Sequence, residues 1–233
     1  MRKFKIITKK LNEVFLSPND SYHIEKVLRA KEKKLIICYD DFFEYECEIK
    51  KNPFTLKIKT EKPTTTTKCY NINAYVGIIK KKNFELVVKM LNELNVLSIT
   101  PVYFERSQKS TKLDSLRLEK IIENSCKQSE RKIPIILNKS IFFEDLQKNK
   151  LDGINISASM DTNSCEIKIN FSPEVIYNLF IGPEGGFTKN ENIWLSSNAI
   201  KIKINNSILK TETATCALTS IIIFKILEKQ KEV

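Results

Sequence analysis

From about residue 70 onward the apolar residues keep changing period, from runs that suit a strand to the i, i+3, i+4 spacing of a helix, and few folds accept that rhythm. Residues 74–79 read as a strand. Phe84, Val87, Val88, Leu91 and Leu94 then mark one face of a helix, and 96–102 returns to strand. A second helix over 113–126 and strands over 133–137, 154–158, 175–181 and 200–204 continue the series. Strands alternating with helices predict a parallel sheet covered by helices, so the class expected for residues 71–233 is α/β.

Residues 1–70 have a different pattern. Ser17-Pro18-Asn19-Asp20 offers helix-start chemistry, and Ile24, Val27 and Leu28 follow at helical spacing, so a short helix is expected to carry His23 and Arg29. Residues 35–39 and 56–58 read as strands. In 43–49 apolar and acidic residues alternate, as a half-buried strand requires. Several short strands with one small helix predict a compact β-barrel-like module, with the polar stretch 61–68 as its exit linker. Phe42, Phe43, Tyr45, Phe84 and Phe104 are expected in cores.

Lys and Arg number 39 against 28 acids, a net charge of +11, which suits a polyanionic partner such as nucleic acid. The six cysteines (38, 47, 69, 126, 165 and 216) form no CxxC pair and His23 is the sole histidine, so neither structural zinc nor any other metal is expected. The basic start lacks an apolar signal core. The longest apolar run, 221–227, contains Lys225 and is too short to span a bilayer. A soluble, cytoplasmic protein with no membrane partner is expected.

Three of the five glycines fall within Ile181-Gly182-Pro183-Glu184-Gly185-Gly186-Phe187, between an expected strand and a helix that the Thr188/Glu191 capping pattern would start. Glycine there lets the backbone approach a ligand, and ligands of open parallel sheets bind beyond the carboxyl ends of strands. The segment is neither GxGxxG nor GxxxxGK[ST], so it does not read as a dinucleotide or triphosphate loop. A second segment, Ile204 to Ala214, leads into an apolar C-terminal helix. Thr211 or Thr213 there can cap, and Glu212 is favoured by the helix dipole.

Together these segments resemble the RsmE family, methyltransferases of N3 of uridine 1498 in small-subunit ribosomal RNA. The similarity extends to residues 23–29, Lys89 with 93–96, Glu105-Arg106-Ser107, and Gln128-Ser129 with Arg131 and Pro134. The resemblance implies a PUA-like RNA-binding barrel over 1–70, and a SPOUT domain over 71–233 whose C-terminal chain forms a trefoil knot. It implies a homodimer acting on ribosomal RNA within the assembled 30S subunit. It places S-adenosyl-L-methionine among Ile181, Gly182, Pro183, Glu184, Gly185, Gly186, Ile204, Ile208, Leu209, Lys210, Thr211 and Thr213, with the loop after Ala158 as a third wall. Glu212, Glu184 and Arg131 are the expected catalytic residues, the two acids as acceptors of the imide proton. His23, Arg29, Lys89, Arg106, Arg131 and Lys210 are the expected RNA contacts.

The chain departs from the family pattern at Lys33, Asn95 and Asn205, where glycine is usual, and at Ser207 and Lys210, where arginine is usual. Asparagine is the best non-glycine visitor to left-handed geometry. Lys210 keeps a charge without bidentate geometry, and Ser207 keeps none. Loss of cofactor affinity through Asn205, Ser207 and Lys210 would leave an RNA-binding ribosome-assembly protein without catalysis, and the same loops could also serve a SPOUT methyltransferase of another RNA site.

Overall fold

A computed structural model of the chain describes residues 3–40, 43–51, 53–63, 69–159 and 169–230. Its contacts divide it into two units, Met1–Thr67 with Cys126–Lys132, and Lys68–Ser125 with Ile133–Val233.

In the first unit β1 (Lys3–Lys10), β2 (Glu13–Leu16), β3 (Leu35–Tyr39), β4 (Phe43–Lys50) and β5 (Thr55–Pro63) close into a barrel in the order β1-β2-β5-β4-β3. The parallel β1–β3 pairing closes it, and the other neighbours are antiparallel. Closure leaves no free sheet edge. The alternation in 43–49 turns Tyr45, Cys47 and Ile49 into a core shared with Phe4, Val14, Ile36 and Leu56. Phe43 packs at the edge of that core, while Phe42 and 64–68 lie outside the described residues.

Strands β1 and β2 were not anticipated, because the lysines of β1 mask an inward pair, Phe4 and Ile6. Residues 61–63, expected as linker, finish β5 and pair with β4. The single short helix expected around His23 divides in two. Ser17 Oγ accepts from Asp20 N at 3.0 Å and starts α1 (Pro18–Tyr22), and a π-helical turn over His23–Val27 follows. Arg29 lies past that turn with φ +44°, and Lys33 sits at φ +64°.

One polar cluster fastens 126–132 within this unit. Lys3 Nζ meets Glu44 at 3.1 Å and Glu130 at 3.0 Å, and Lys132 meets Glu44 at 3.1 Å. Burial is the largest single influence on Glu44 and raises its pKa. The hydrogen bonds and charges of Lys132 and Lys3 together outweigh it, holding the carboxyl below the usual range.

The second unit is a parallel sheet in the order β12-β10-β11-β6-β7-β8, with β9 also on β7. Its strands are β6 (Tyr70–Gly77), β7 (Val96–Tyr103), β8 (Ile136–Leu137), β9 (Ile141–Phe142), β10 (Ile154–Ala158), β11 (Tyr177–Ile181) and β12 (Ile200–Ile202). The helices are α2 (Lys81–Glu93), α3 (Ser115–Ser129), α4 (Phe143–Gln147), α5 (Lys189–Asn198) and α6 (Thr211–Gln230). The α/β class expected from the alternation is the class observed. The strand expected over 133–137 shrinks to two residues because Ile135 N donates to Asn92 Oδ1 of α2 at 3.0 Å, not to a neighbouring strand.

A polar row runs across the sheet and marks its register. Asn155 stands opposite Asn178, Asn178 opposite Asn73, and Asn73 opposite Ser98. Side-chain hydrogen bonds of 2.7–3.1 Å join each to the next. A one-residue slip would break the row and turn apolar neighbours outward. From β12 at the sheet's edge the chain returns as α6 to pack on α2, β11 and β6.

Candidate active site

All five residues of β11 are buried, as a central parallel strand demands. At its carboxyl end the chain turns sharply, with Gly186 N donating to Pro183 O at 2.8 Å and Gly186 at φ +67°. This turn crosses the end of β6 so closely that a Cβ on Gly77 would lie 2.5 Å from Pro183 N. Thr188 then caps α5 through a capping box: its Oγ1 accepts from Glu191 N, and Glu191 Oε2 accepts from Thr188 N at 2.7 Å.

A second loop, 203–210, faces this turn. Thr211, the first residue of α6, donates from Oγ1 to Gly182 O at 3.0 Å and ties the two together. Ser159, just past β10, donates from N to Ile202 O at 2.9 Å and brings up a third side. Among the carboxyl ends of β10, β11 and β12 these three segments enclose a cavity of about 350 Å³, a volume suited to a small molecule. The wall is mainly apolar side chain and open backbone.

Residues 66–223 match the family model described as an RNA methyltransferase domain. The chain belongs to the RNA methyltransferase family. It is 28% identical over 215 residues to a ribosomal RNA small subunit methyltransferase E from Rickettsia conorii, covering 88% of this chain and 86% of that protein. A protein of the same name from Aquifex aeolicus is 27% identical over 199 residues, 82% of each. The crystal structure of a Neisseria gonorrhoeae ribosomal RNA small subunit methyltransferase E bound to S-adenosyl methionine has the same fold. Its TM-score is 0.77 at 22% identity, with 97% of this chain and 98% of that chain covered.

In this RNA methyltransferase Ile181, Gly182, Pro183, Glu184, Gly185 and Gly186 form one wall of the cavity, and Ile204, Ile208, Leu209 and Thr211 belong to the facing wall. Ala158 and Ser159 supply the third side. Lys210 and Thr213 are exposed and outside the lining. Phe187, Asn192 and Ala214 line it and were not anticipated. Phe187 and Asn192 flank the capping box, so helix-start chemistry concealed them. Asn205 and Ser207, noted only as departures from the family pattern, also line it.

Glu184 is exposed on the cavity wall. Glu212 lies in the first turn of α6 outside the lining, half-buried, with its Oε2 fully buried and without a hydrogen-bond partner. Arg106 is exposed, but its Nη1 donates to Gly185 O at 3.0 Å, a bond to protein backbone. Lys89 is exposed on α2 and paired with Glu93 at 3.7 Å. Arg131 is only 4% exposed and groups with the first unit. His23 is half-buried and Arg29 exposed in that same unit. Asn95 sits at φ +57°, so asparagine does occupy left-handed backbone there. Among the described residues no group of three His, Cys, Asp or Glu side chains could hold a metal, and no helix is long and apolar enough to cross a membrane.

Proposed function

We propose that this methyltransferase methylates N3 of a uridine in small-subunit ribosomal RNA, with position 1498 as the expected target and S-adenosylmethionine as methyl donor. The carrying observation is the cavity formed where the Gly182–Gly186 turn, the Ile204–Thr211 loop and the end of β10 converge. The residues present suit that cofactor. Ile181, Ile204, Ile208 and Leu209 offer apolar contact for a purine, the turn offers open backbone, and Glu184 offers a charge opposite to the sulfonium. Bound there, S-adenosylmethionine supplies an electrophilic methyl group.

The protein's part is to orient the uridine, keep water away and accept the imide proton. Glu212 and Glu184 are the proposed acceptors, Glu212 because its buried Oε2 has no other partner. Arg131 is the third proposed catalytic residue, and its burial favours orienting neighbours over direct contact with the base. Residues 1–70 are the proposed PUA-like RNA-binding domain, gripping RNA through His23 and Arg29. Residues 71–233 are the proposed SPOUT domain, where Lys89, Arg106 and Lys210 add phosphate contacts. The net charge of +11 supports such a partner. The proposed substrate is the assembled 30S subunit, in the cytoplasm.

A homodimer is proposed through α6. One face of this helix is buried, while Phe224 is 61% exposed and shares a stripe with Ala217 and Ile221 that leads back to Ala214 on the cavity wall.

Calorimetric titration with S-adenosylmethionine, followed by hydrogen exchange with and without it, tests the assignment. Protection confined to 158–159, 181–187 and 204–211 is expected. RNA binding without any cofactor binding would favour the non-catalytic ribosome-assembly alternative.

A further inference from the structure

The loop after β7, residues 104–107, lies outside the cavity lining yet is fastened to the glycine-rich turn. Arg106 Nη1 donates to Gly185 O at 3.0 Å and Phe187 O at 3.5 Å. Its aliphatic stem lies on Gly185, where an added Cβ would sit 3.1 Å from Arg106 Cβ. From beneath, Glu191, 5% exposed, joins the same two segments: Oε1 accepts from Glu105 N at 2.8 Å and Oε2 from Thr188 N at 2.7 Å. A buried carboxylate with both oxygens on backbone N–H groups makes strong, directional bonds, and helix capping needs only one of them. The loop is itself braced, since Ser107 Oγ donates to Val102 O at 3.2 Å and accepts from Phe104 N at 3.0 Å.

We infer that Glu191 and Arg106 are positioning residues that hold the 182–187 wall in its cofactor-binding shape before RNA arrives. The inference rests on the cofactor assignment proposed above. It gives Glu191 a task beyond capping, and Arg106 a task that needs no RNA.

Glu191→Gln separates bridge from cap. A glutamine has one acceptor; with its oxygen on Thr188 N, its NH2 faces Glu105 N–H, donor against donor. Titration of S-adenosylmethionine into RNA-free protein should show E191Q and R106A each binding about tenfold more weakly, the loss of a hydrogen bond to a charged group. In E191Q the KM for the cofactor should rise while kcat at saturating cofactor stays near wild type. Arg106→Lys, which can reach one carbonyl, should recover part of the affinity. The urea midpoint of E191Q should lie well above that of E191A, which also loses the cap. Wild-type cofactor affinity in E191Q and R106A, with only RNA affinity reduced in R106A, would overturn the inference. If the wild-type protein itself fails to bind S-adenosylmethionine, the cofactor assignment fails instead. Hydrogen exchange then tests the bracket alone: amides of 182–187 should exchange faster in E191Q, and unchanged rates would reject it.

Discussion

Gly77→Ala should damage the cofactor wall from a position that never touches the cavity. Its new Cβ would lie 2.5 Å from Pro183 N, 2.8 Å from Pro183 Cδ and 3.0 Å from Gly182 C, where ordinary contact starts at 3.4 Å. Two of those atoms are backbone and the third belongs to a proline ring, so none can rotate aside. The turn must retreat by roughly 1 Å, and overpacking of that kind costs about 1–3 kcal/mol of stability. A misplacement of about 1 Å can also cost on the order of 100-fold in rate. Gly186→Ala is the control: nothing lies within 4 Å of its Cβ, and at φ +67° it carries only backbone strain of about 1–2 kcal/mol. Urea unfolding and cofactor titration on both variants make the comparison. Both variants should lose stability, and G77A should lose more cofactor affinity than G186A, whose added Cβ meets no atom within 4 Å. A G77A protein with wild-type midpoint and affinity would refute the close crossing of β6 by the turn.

Glu44→Gln should lower the melting temperature of the barrel in a pH-dependent way. The folded carboxyl titrates below its unfolded value, so its stabilisation is present above about pH 4.3 and fades as pH falls through the folded value. The wild-type advantage should therefore be full near about pH 7 and shrink below about pH 4; a gap independent of pH would contradict the Lys3–Glu44–Lys132 cluster. Lys33 at φ +64° and Asn95 at φ +57° occupy left-handed backbone. Lys33→Gly should stabilise by about 1 kcal/mol and Asn95→Ala destabilise by a similar amount in urea titrations. Phe224→Asp should shift the protein from dimer to monomer in sedimentation without changing its fold; a wild-type protein already monomeric would remove the proposed α6 interface.

The strand series of the sheet was legible because buried parallel strands such as β11 are short apolar runs between turn residues, and periodicity reports them directly. The glycine-rich turn was legible for the same reason, as composition concentrated in one place. Strand β1 was not, since a strand on a small barrel buries only alternate residues and Lys3, Lys5, Lys9 and Lys10 dilute the signal. Glu191 showed its capping role but not its second bond, because the Glu105 N–H it accepts from lies 86 residues away along the chain. Gly77 could have been noticed: a glycine closing an otherwise apolar strand is a sign of close backbone approach. The burial of Arg131 was not legible, since a motif gives residue identity and no burial.

Transfer of labelled methyl from S-adenosylmethionine to small ribosomal subunits lacking the modification, with the methylated nucleoside then identified by mass spectrometry, is the most direct test. Free ribosomal RNA and transfer RNA run in parallel. Label at N3 of one uridine, in subunits and not in transfer RNA, is the predicted result. Label on transfer RNA alone, on another atom, or on no RNA at all would contradict the proposed function.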